Sequence, residues 1–180
     1  TGLPVIGLVK IQYPGYEGYI TPTMKEVDDL VAAGSDVVAL DCTLRKRGDG
    51  TTVNEFIAQI KEKYPDIILM ADISNYEEGI NAWKCGVDIV GTTMSGYTDY
   101  TSKKDEPDYE LMERLAKDTD IPIIGEGKIH YPDQAVKALQ TGVWAIVVGG
   151  AITGSHTASS PHSVQLLPDS LQYVQRFQIP

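Results

Sequence analysis

An α/β fold with a parallel, barrel-type sheet is what this 180-residue sequence predicts, on three observations. Apolar runs alternate with helical patterns as far as about residue 150, the grammar of βαβ units. A helix-Gly-x-x-apolar-apolar pattern recurs at Ala33-Gly34-Ser35-Asp36-Val37-Val38, Cys85-Gly86-Val87-Asp88-Ile89-Val90 and Thr141-Gly142-Val143-Trp144-Ala145-Ile146. Between these repeats lie strands that start at or near Pro4, Pro65 and Pro122, so the repeating unit is two βα modules of about 55 residues. A barrel of eight such modules has this grammar. A doubly wound open sheet is the rival, and no G-x-G-x-x-G follows the first strand to support it.

Taken in order, Pro4–Val9 is a near-continuous apolar run, expected of a strand buried on both faces. Thr21-Pro22-Thr23 opens a helix through Ala33; either threonine could cap it, and Glu26 stands three residues after Thr23 as in a capping box. Gly34 ends that helix, and Asp36–Leu40 is the next strand. Thr51–Tyr64 is a helix with Val53, Phe56, Ile57 and Ile60 on one face, stopped by Pro65. Ile67–Ala71, Val87–Gly91, Ile121–Gly125 and Trp144–Val148 read as strands. Asn75–Cys85, Asp108–Asp118 and Pro132–Gln140 read as the helices between and after them. That makes six strands, two short of a closed barrel. The segment from Gly154 to Pro180 is rich in Ser, His, Gln and Pro and does not continue the pattern; short helical turns over Ser163–Leu167 and Leu171–Phe177 are the most it offers. The expected organisation is a partial (β/α) barrel over 1–153 and a divergent tail over 154–180.

Composition sets the broad class. Hydrophobic residues make up 42% and charged residues 22%, as in ordinary globular domains. Twenty-five acidic side chains against 15 basic ones give a formal charge of -10, a poor basis for neutralising a nucleic-acid backbone. A small phosphorylated ligand needs only backbone amides and a cation, and stays open. No apolar run approaches the roughly 20 residues of a membrane span, and Thr1–Lys10 has no basic segment ahead of its apolar stretch, so neither a membrane nor a signal peptide is expected. The missing initiator Met suggests a fragment or a processed start. Cys42 and Cys85 read as buried thiols of a reducing, cytoplasmic compartment. His130, His156 and His162 lack metal-ligand spacing, and neither a metal nor another cofactor is expected.

In a parallel barrel, function gathers at the C-terminal ends of the strands. Those positions hold Lys10, Asp41, Asp72, Thr92 with Thr93, Glu126, and Gly149 with Gly150. Taken singly, each has an ordinary reading: Lys10 a solvated strand end, Asp41 a turn residue, Asp72 a helix cap, Glu126 a solvated loop residue. Together, a curled sheet would aim them at one axis. A lysine and carboxyls in one partly dry cavity can move a proton next to a carbonyl. Gly125-Glu126-Gly127 leaves the backbone approachable, and Gly149-Gly150 after an apolar strand suits an anion or a tight turn. Gly91–Thr98 reads as a substrate-facing loop or lid. Asp28-Asp29 and Arg45-Lys46-Arg47 read as solvated surface, with a minor role for Arg45 and Arg47 in attracting an anion.

Several blocks together resemble one family: Gly7-Leu8-Val9-Lys10, Tyr19–Thr23, Ala39–Thr43, Leu69–Ser74, Asp88–Thr98, Ile124–Ile129 and Val147–Thr153. The set, specific above all in Ala71–Ser74 and Gly91–Thr98, is similar to the N-acylglucosamine-6-phosphate 2-epimerases, also called N-acetylmannosamine-6-phosphate 2-epimerases, of bacterial sialic acid catabolism. The resemblance runs from residue 1 to about Thr153. It implies a (β/α)8 TIM barrel that interconverts N-acetylmannosamine 6-phosphate and N-acetylglucosamine 6-phosphate by C2 deprotonation and reprotonation, without a redox cofactor. It further implies Lys10 as the catalytic lysine, Glu126 as its acid/base partner and Asp72 as a member of the same polar network. Gly127, Gly149 and Gly150 would face the phosphate, with Thr92 a further substrate-binding position.

The sequence departs from the family at two places. Family members carry two more βα units at the start, with a substrate-binding Gln and Arg that have no counterpart here. They read Ile-Thr-Arg where this chain has Ile152-Thr153-Gly154. An incomplete barrel, dependent on a partner or held as a homodimer, is therefore expected, and an inactive fragment that keeps at most sugar-phosphate binding is the alternative to an epimerase. A ribulose-phosphate epimerase would call for metal-binding histidines at strand ends, and none stands there.

Overall fold

A computed structural model describes residues 2–153 of the chain. The 154–180 tail, with His156, His162 and the two helical turns expected there, lies outside the described residues.

The fold is six parallel βα units wound in sequence. The strands are β1 (Ile6–Gly7), β2 (Val37–Asp41), β3 (Ile68–Asp72), β4 (Ile89–Gly91), β5 (Ile123–Glu126) and β6 (Ala145–Val147). The helices are α1 (Met24–Ala32), α2 (Val53–Lys63), α3 (Tyr76–Lys84), α4 (Tyr109–Asp118), α5 (Pro132–Gln140) and the single turn α6 (Gly150–Thr153). The sheet order is β1-β2-β3-β4-β5-β6, and every pairing is parallel. A doubly wound sheet reverses its order part-way; this one never does, so the right-handed crossovers place successive helices on the same side and the sheet curls as an incomplete TIM barrel.

Period-two alternation splits the core into two apolar layers. Val38, Leu40, Leu69, Ala71, Val90 and Ile123 point outward and pack with the helices, against Val27, Phe56, Ile57, Ile60, Leu111 and Leu115. Val37, Ala39, Met70, Ile89 and Ile124 form the inner layer. The same parity carries Asp41, Asp72, Gly91 and Glu126 to the inner side at the strand ends. The register aligns Asp41 with Asp72 and Asp72 with Gly91.

Local signals explain the helix starts. Thr23 caps α1, accepting from the Lys25 amide while its own amide donates to Glu26 Oε2 at 3.0 Å; Thr21 does not take that role. Thr52 and Glu55 form a second capping box at α2. Asn75, rather than Asp72, caps α3 and receives the Glu78 amide at 3.0 Å.

The first strand departs from expectation. The Pro4–Val9 run yields only two paired residues, and Val5 and Leu8 remain 53% and 40% exposed. The reason is position: β1 is the edge of the described sheet and pairs with β2 alone. Cys42 is fully buried as expected, whereas Cys85, at the C-terminal end of α3, is only half-buried. The Arg45-Lys46-Arg47 run is not a solvated face either. Arg47 lies in the interior with its guanidinium 3.8 Å from the centre of the Phe56 ring, donating to the Pro22 carbonyl at 2.6 Å. Arg45 pairs with Asp41 at 2.6 Å, and only Lys46 of the three is exposed.

Candidate functional site

A cavity of about 300 Å³ opens at the C-terminal ends of the strands. Lys10, Glu126, Gly127, Gly149 and Gly150 all line it, joined by Tyr19, Thr93, Met94, Tyr97 and Lys128. The amine of Lys10 and the carboxyl of Glu126, 116 positions apart in sequence, thus share one space, brought together by curling of the sheet.

Backbone pairing fixes Lys10. The segment after β1 turns back so that Lys10 bridges Ile20 in antiparallel fashion. Thr21 N–H donates to Val9 O at 2.7 Å, and Ile11 N–H to Tyr19 O at 2.9 Å. This short ribbon is tied to β2, because Asp41 N–H donates to Ile20 O at 2.9 Å and the Thr21 hydroxyl to Ala39 O at 2.7 Å. Thr21 adopts a left-handed φ of 45°, unusual for a β-branched residue, and those bonds hold it there.

Glu126 is held by its neighbour strand. The Thr92 hydroxyl donates to Glu126 O at 2.9 Å and accepts from Glu126 N–H at 3.0 Å. Thr92 is fully buried and its hydroxyl is spent on the Glu126 main chain, so it clamps β4 to β5 and does not reach the cavity, contrary to the expectation that it binds substrate. The glycines differ: Gly127, in the left-handed region, and Gly149 present backbone to the cavity, and a Cβ at Gly149 would meet nothing within 4 Å.

Thr93, not Thr92, faces the acids. Its hydroxyl lies 2.6 Å from Asp72 Oδ1 and 3.1 Å from Glu126 Oε2. Asp72 is 1% exposed, sits beneath Thr93 rather than in the cavity wall, and its Oδ2 has no hydrogen-bond partner among the described residues. Burial, reinforced by the Glu126 and Asp41 charges, pushes the Asp72 carboxyl well above the usual carboxylate range; Thr93 and the Lys10 charge pull the other way. Burial likewise raises Glu126, opposed by the Thr93 bond and by Lys10. Asp41, named with the strand ends, is instead satisfied locally by Arg45 and by the Thr43 amide and hydroxyl.

The loop after β4 lines the cavity through Thr93, Met94 and Tyr97, and it is pinned. Ser95 donates to Asp108 at 2.7 Å, and Tyr100 donates to buried Glu78 at 2.5 Å. Lys128, at a left-handed φ of 61°, lays its ammonium over the Tyr97 ring at 5.0 Å and donates to Ser95 O at 3.4 Å. Gly96 has no side chain to obstruct that ammonium. Strand-end reading named Thr93 beside Thr92 without separating the two, and it passed over Lys128, which also lines the cavity. Parity counted from Ile89 would have placed Thr93, with Gly91, on the inner side. Lys128 carries no such signal, because its direction depends on the left-handed turn after Gly127. Among the described residues no cluster of three or more His, Cys, Asp or Glu is placed to hold a metal ion, and no helix is long and apolar enough to cross a membrane.

Sequential winding, a two-layered core and polar residues collected at the C-terminal strand ends define a β/α-barrel protein with its candidate site at the usual end of the barrel. Residues 1–163 match the family described as "NanE: Putative N-acetylmannosamine-6-phosphate epimerase", and the chain belongs to that family. It is 56% identical over 154 residues to a "Putative N-acetylmannosamine-6-phosphate 2-epimerase" of Caldanaerobacter subterraneus subsp. tengcongensis, covering 86% of this chain and 65% of the relative. A relative of the same name in Clostridioides difficile is 51% identical over 153 residues, covering 85% and 68%. The solved structure of the N-acetylmannosamine-6-phosphate 2-epimerase from Clostridium perfringens superimposes with a TM-score of 0.79 at 48% identity, over 84% of this chain and 66% of that one. A thiamine phosphate pyrophosphorylase from Pyrococcus furiosus matches at a TM-score of 0.54 and 26% identity, over 72% and 57%. The chain spans about two thirds of the length of the curated relatives it matches.

Proposed function

We propose that the protein interconverts N-acetylmannosamine 6-phosphate and N-acetylglucosamine 6-phosphate by inverting C2. The observation that carries the reading is the convergence of Lys10 and Glu126 on one cavity with glycine backbone at its edge. Membership of a family whose relatives bear the epimerase name supports the substrate.

The chemistry follows from the substrate. In the open-chain sugar, C2 lies beside the C1 aldehyde, so loss of its proton gives an enolate stabilised through the carbonyl oxygen. Inversion needs the proton removed from one face and returned on the other. Lys10, from the ribbon after β1, and Glu126, from the end of β5, are the two groups proposed for this exchange. A carboxylate base and an ammonium acid on separate elements, with the roles exchanged in the reverse direction, can address opposite faces of a flat enolate. Asp72 lies beneath and biases the charge of the pair. The cavity-lining backbone of Gly127, Gly149 and Gly150 is the proposed seat of the phosphate, whose dianion would anchor the sugar while C2 reacts.

The test is isotope incorporation. With N-acetylmannosamine 6-phosphate in heavy water, the protein should place deuterium at C2 of both epimers, read by proton NMR. Glu126→Gln preserves shape and removes the base, and should slow exchange by about 10²–10⁴-fold. A folded protein that leaves C2 protium untouched would refute the proposal.

A further inference from the structure

Thr93 has one hydroxyl proton and two carboxyl neighbours. Its oxygen lies 2.6 Å from Asp72 Oδ1 and 3.1 Å from Glu126 Oε2, yet a hydroxyl can donate to only one of them. If both acids were ionised, one contact would set oxygen lone pairs against each other. The arrangement is complete only when one acid is protonated and donates to Thr93 while Thr93 donates to the other.

The surroundings decide which acid holds the proton. Asp72 is almost fully excluded from water, and its Oδ2 has no partner among the described residues; an ionised oxygen left so would be costly, whereas the carbonyl oxygen of a neutral acid is tolerable. Asp72 also faces more negative charge, from Asp41 beside it in the strand register and from the Glu126 carboxyl, against the Lys10 ammonium. Glu126 is half-buried, opens on the cavity and shares it with Lys10. Gly91 makes the bridge sterically available: a Cβ there would lie 3.1 Å from Thr93 Oγ1 and 3.2 Å from Asp72 Oδ1.

We propose that Thr93 is a positioning residue that relays hydrogen bonding from a neutral Asp72 to an ionised Glu126, so that the two acids carry one proton between them at neutral pH. Asp72 donates to Thr93 Oγ1, and Thr93 donates to Glu126 Oε2. Glu126 is thereby kept a carboxylate and pointed into the cavity in the form a base requires. This deepens the epimerase reading and rests on it for its catalytic consequence; the proton count stands apart from it.

The experiment compares Thr93→Val, which keeps shape and deletes the donor, with Thr93→Ser, which keeps the donor. Carboxyl carbon-13 NMR of the full chain follows Asp72 and Glu126 across pH without substrate. Glu126 should titrate about one to two pH units higher in Thr93→Val, the equivalent of one charge-assisted hydrogen bond, and stay in place in Thr93→Ser. In C2 exchange, the acid limb of the rate profile should move up by the same amount in Thr93→Val only. A slower Thr93→Val with an unmoved Glu126 titration would mean Thr93 merely packs, and overturns the proposal. If Thr93→Val does not fold, the unmodified protein decides: an Asp72 carbon at its ionised shift at pH 7 overturns the proposal, and one at its neutral shift supports it. An unmodified chain without C2 exchange would defeat the epimerase reading while these titrations still decided the proton count.

Discussion

Replacing Gly91 by alanine should destabilise the protein and disturb the acids together. The backbone there is outside the left-handed region, so alanine is conformationally acceptable and the cost is one of space. The new methyl would press on the Met70 terminal methyl, on Thr93 Oγ1 at 3.1 Å and on Asp72 Oδ1 at 3.2 Å. Met70 ends in a flexible thioether but is itself buried in the inner layer with Ile89 and Ile124. The Thr93–Asp72 contact, already short at 2.6 Å, must open by a few tenths of an ångström. Overpacking of this kind costs about 1–3 kcal/mol. Stiffening the unfolded chain returns about 0.4–1 kcal/mol, leaving a net loss of about 1–2 kcal/mol. For a chain of this size that is a fall in Tm of roughly 2–8 °C, and a lower urea midpoint at unchanged m. A variant with the midpoint of the unmodified protein would refute the placement of Gly91 against these groups.

Two further predictions concern stability. Asp72→Asn removes a carboxyl whose folded pKa is raised, mainly by burial. Such a group favours the folded state below its unfolded pKa and loses that advantage as pH rises to the folded value, at about 1.4 kcal/mol per unit of difference. The variant should therefore gain on the unmodified protein between about pH 4 and neutrality, measured by urea midpoints across pH; a constant gap would contradict the raised pKa. Leu115→Ala empties a fully buried position in α4 that packs on Gly79 of α3, and should cost about 2–5 kcal/mol by denaturant unfolding. A loss under about 1 kcal/mol would mean that the α3–α4 seam repacks freely.

Much of the fold was legible because alternation, punctuation and capping agree with one another. Pro65 and Gly34, Gly86 and Gly142 mark the ends of modules, and Thr23 with Glu26 marks a start that the structure reproduces. The polar strand ends Lys10, Asp72 and Glu126 stood out against apolar runs, and their convergence needed only the curl of a parallel sheet. What escaped was direction. Thr92 and Thr93 are chemically identical neighbours, and only strand parity separates a backbone clamp from a side chain among the acids. The basic run at 45–47 gave no hint that Arg47 would lie against Phe56, because a guanidinium's burial depends on aromatic neighbours remote in sequence. The exposure of Val5 and Leu8 is likewise a matter of sheet position, invisible in an apolar run.

The loop beyond β4 is latched on both flanks, by Tyr100 to Glu78 and by Ser95 to Asp108. A guest in the cavity therefore meets a wall whose ordering was completed during folding and takes nothing from its own affinity. Swapping either latch for a mobile turn would transfer that entropic burden from the scaffold to every binding event.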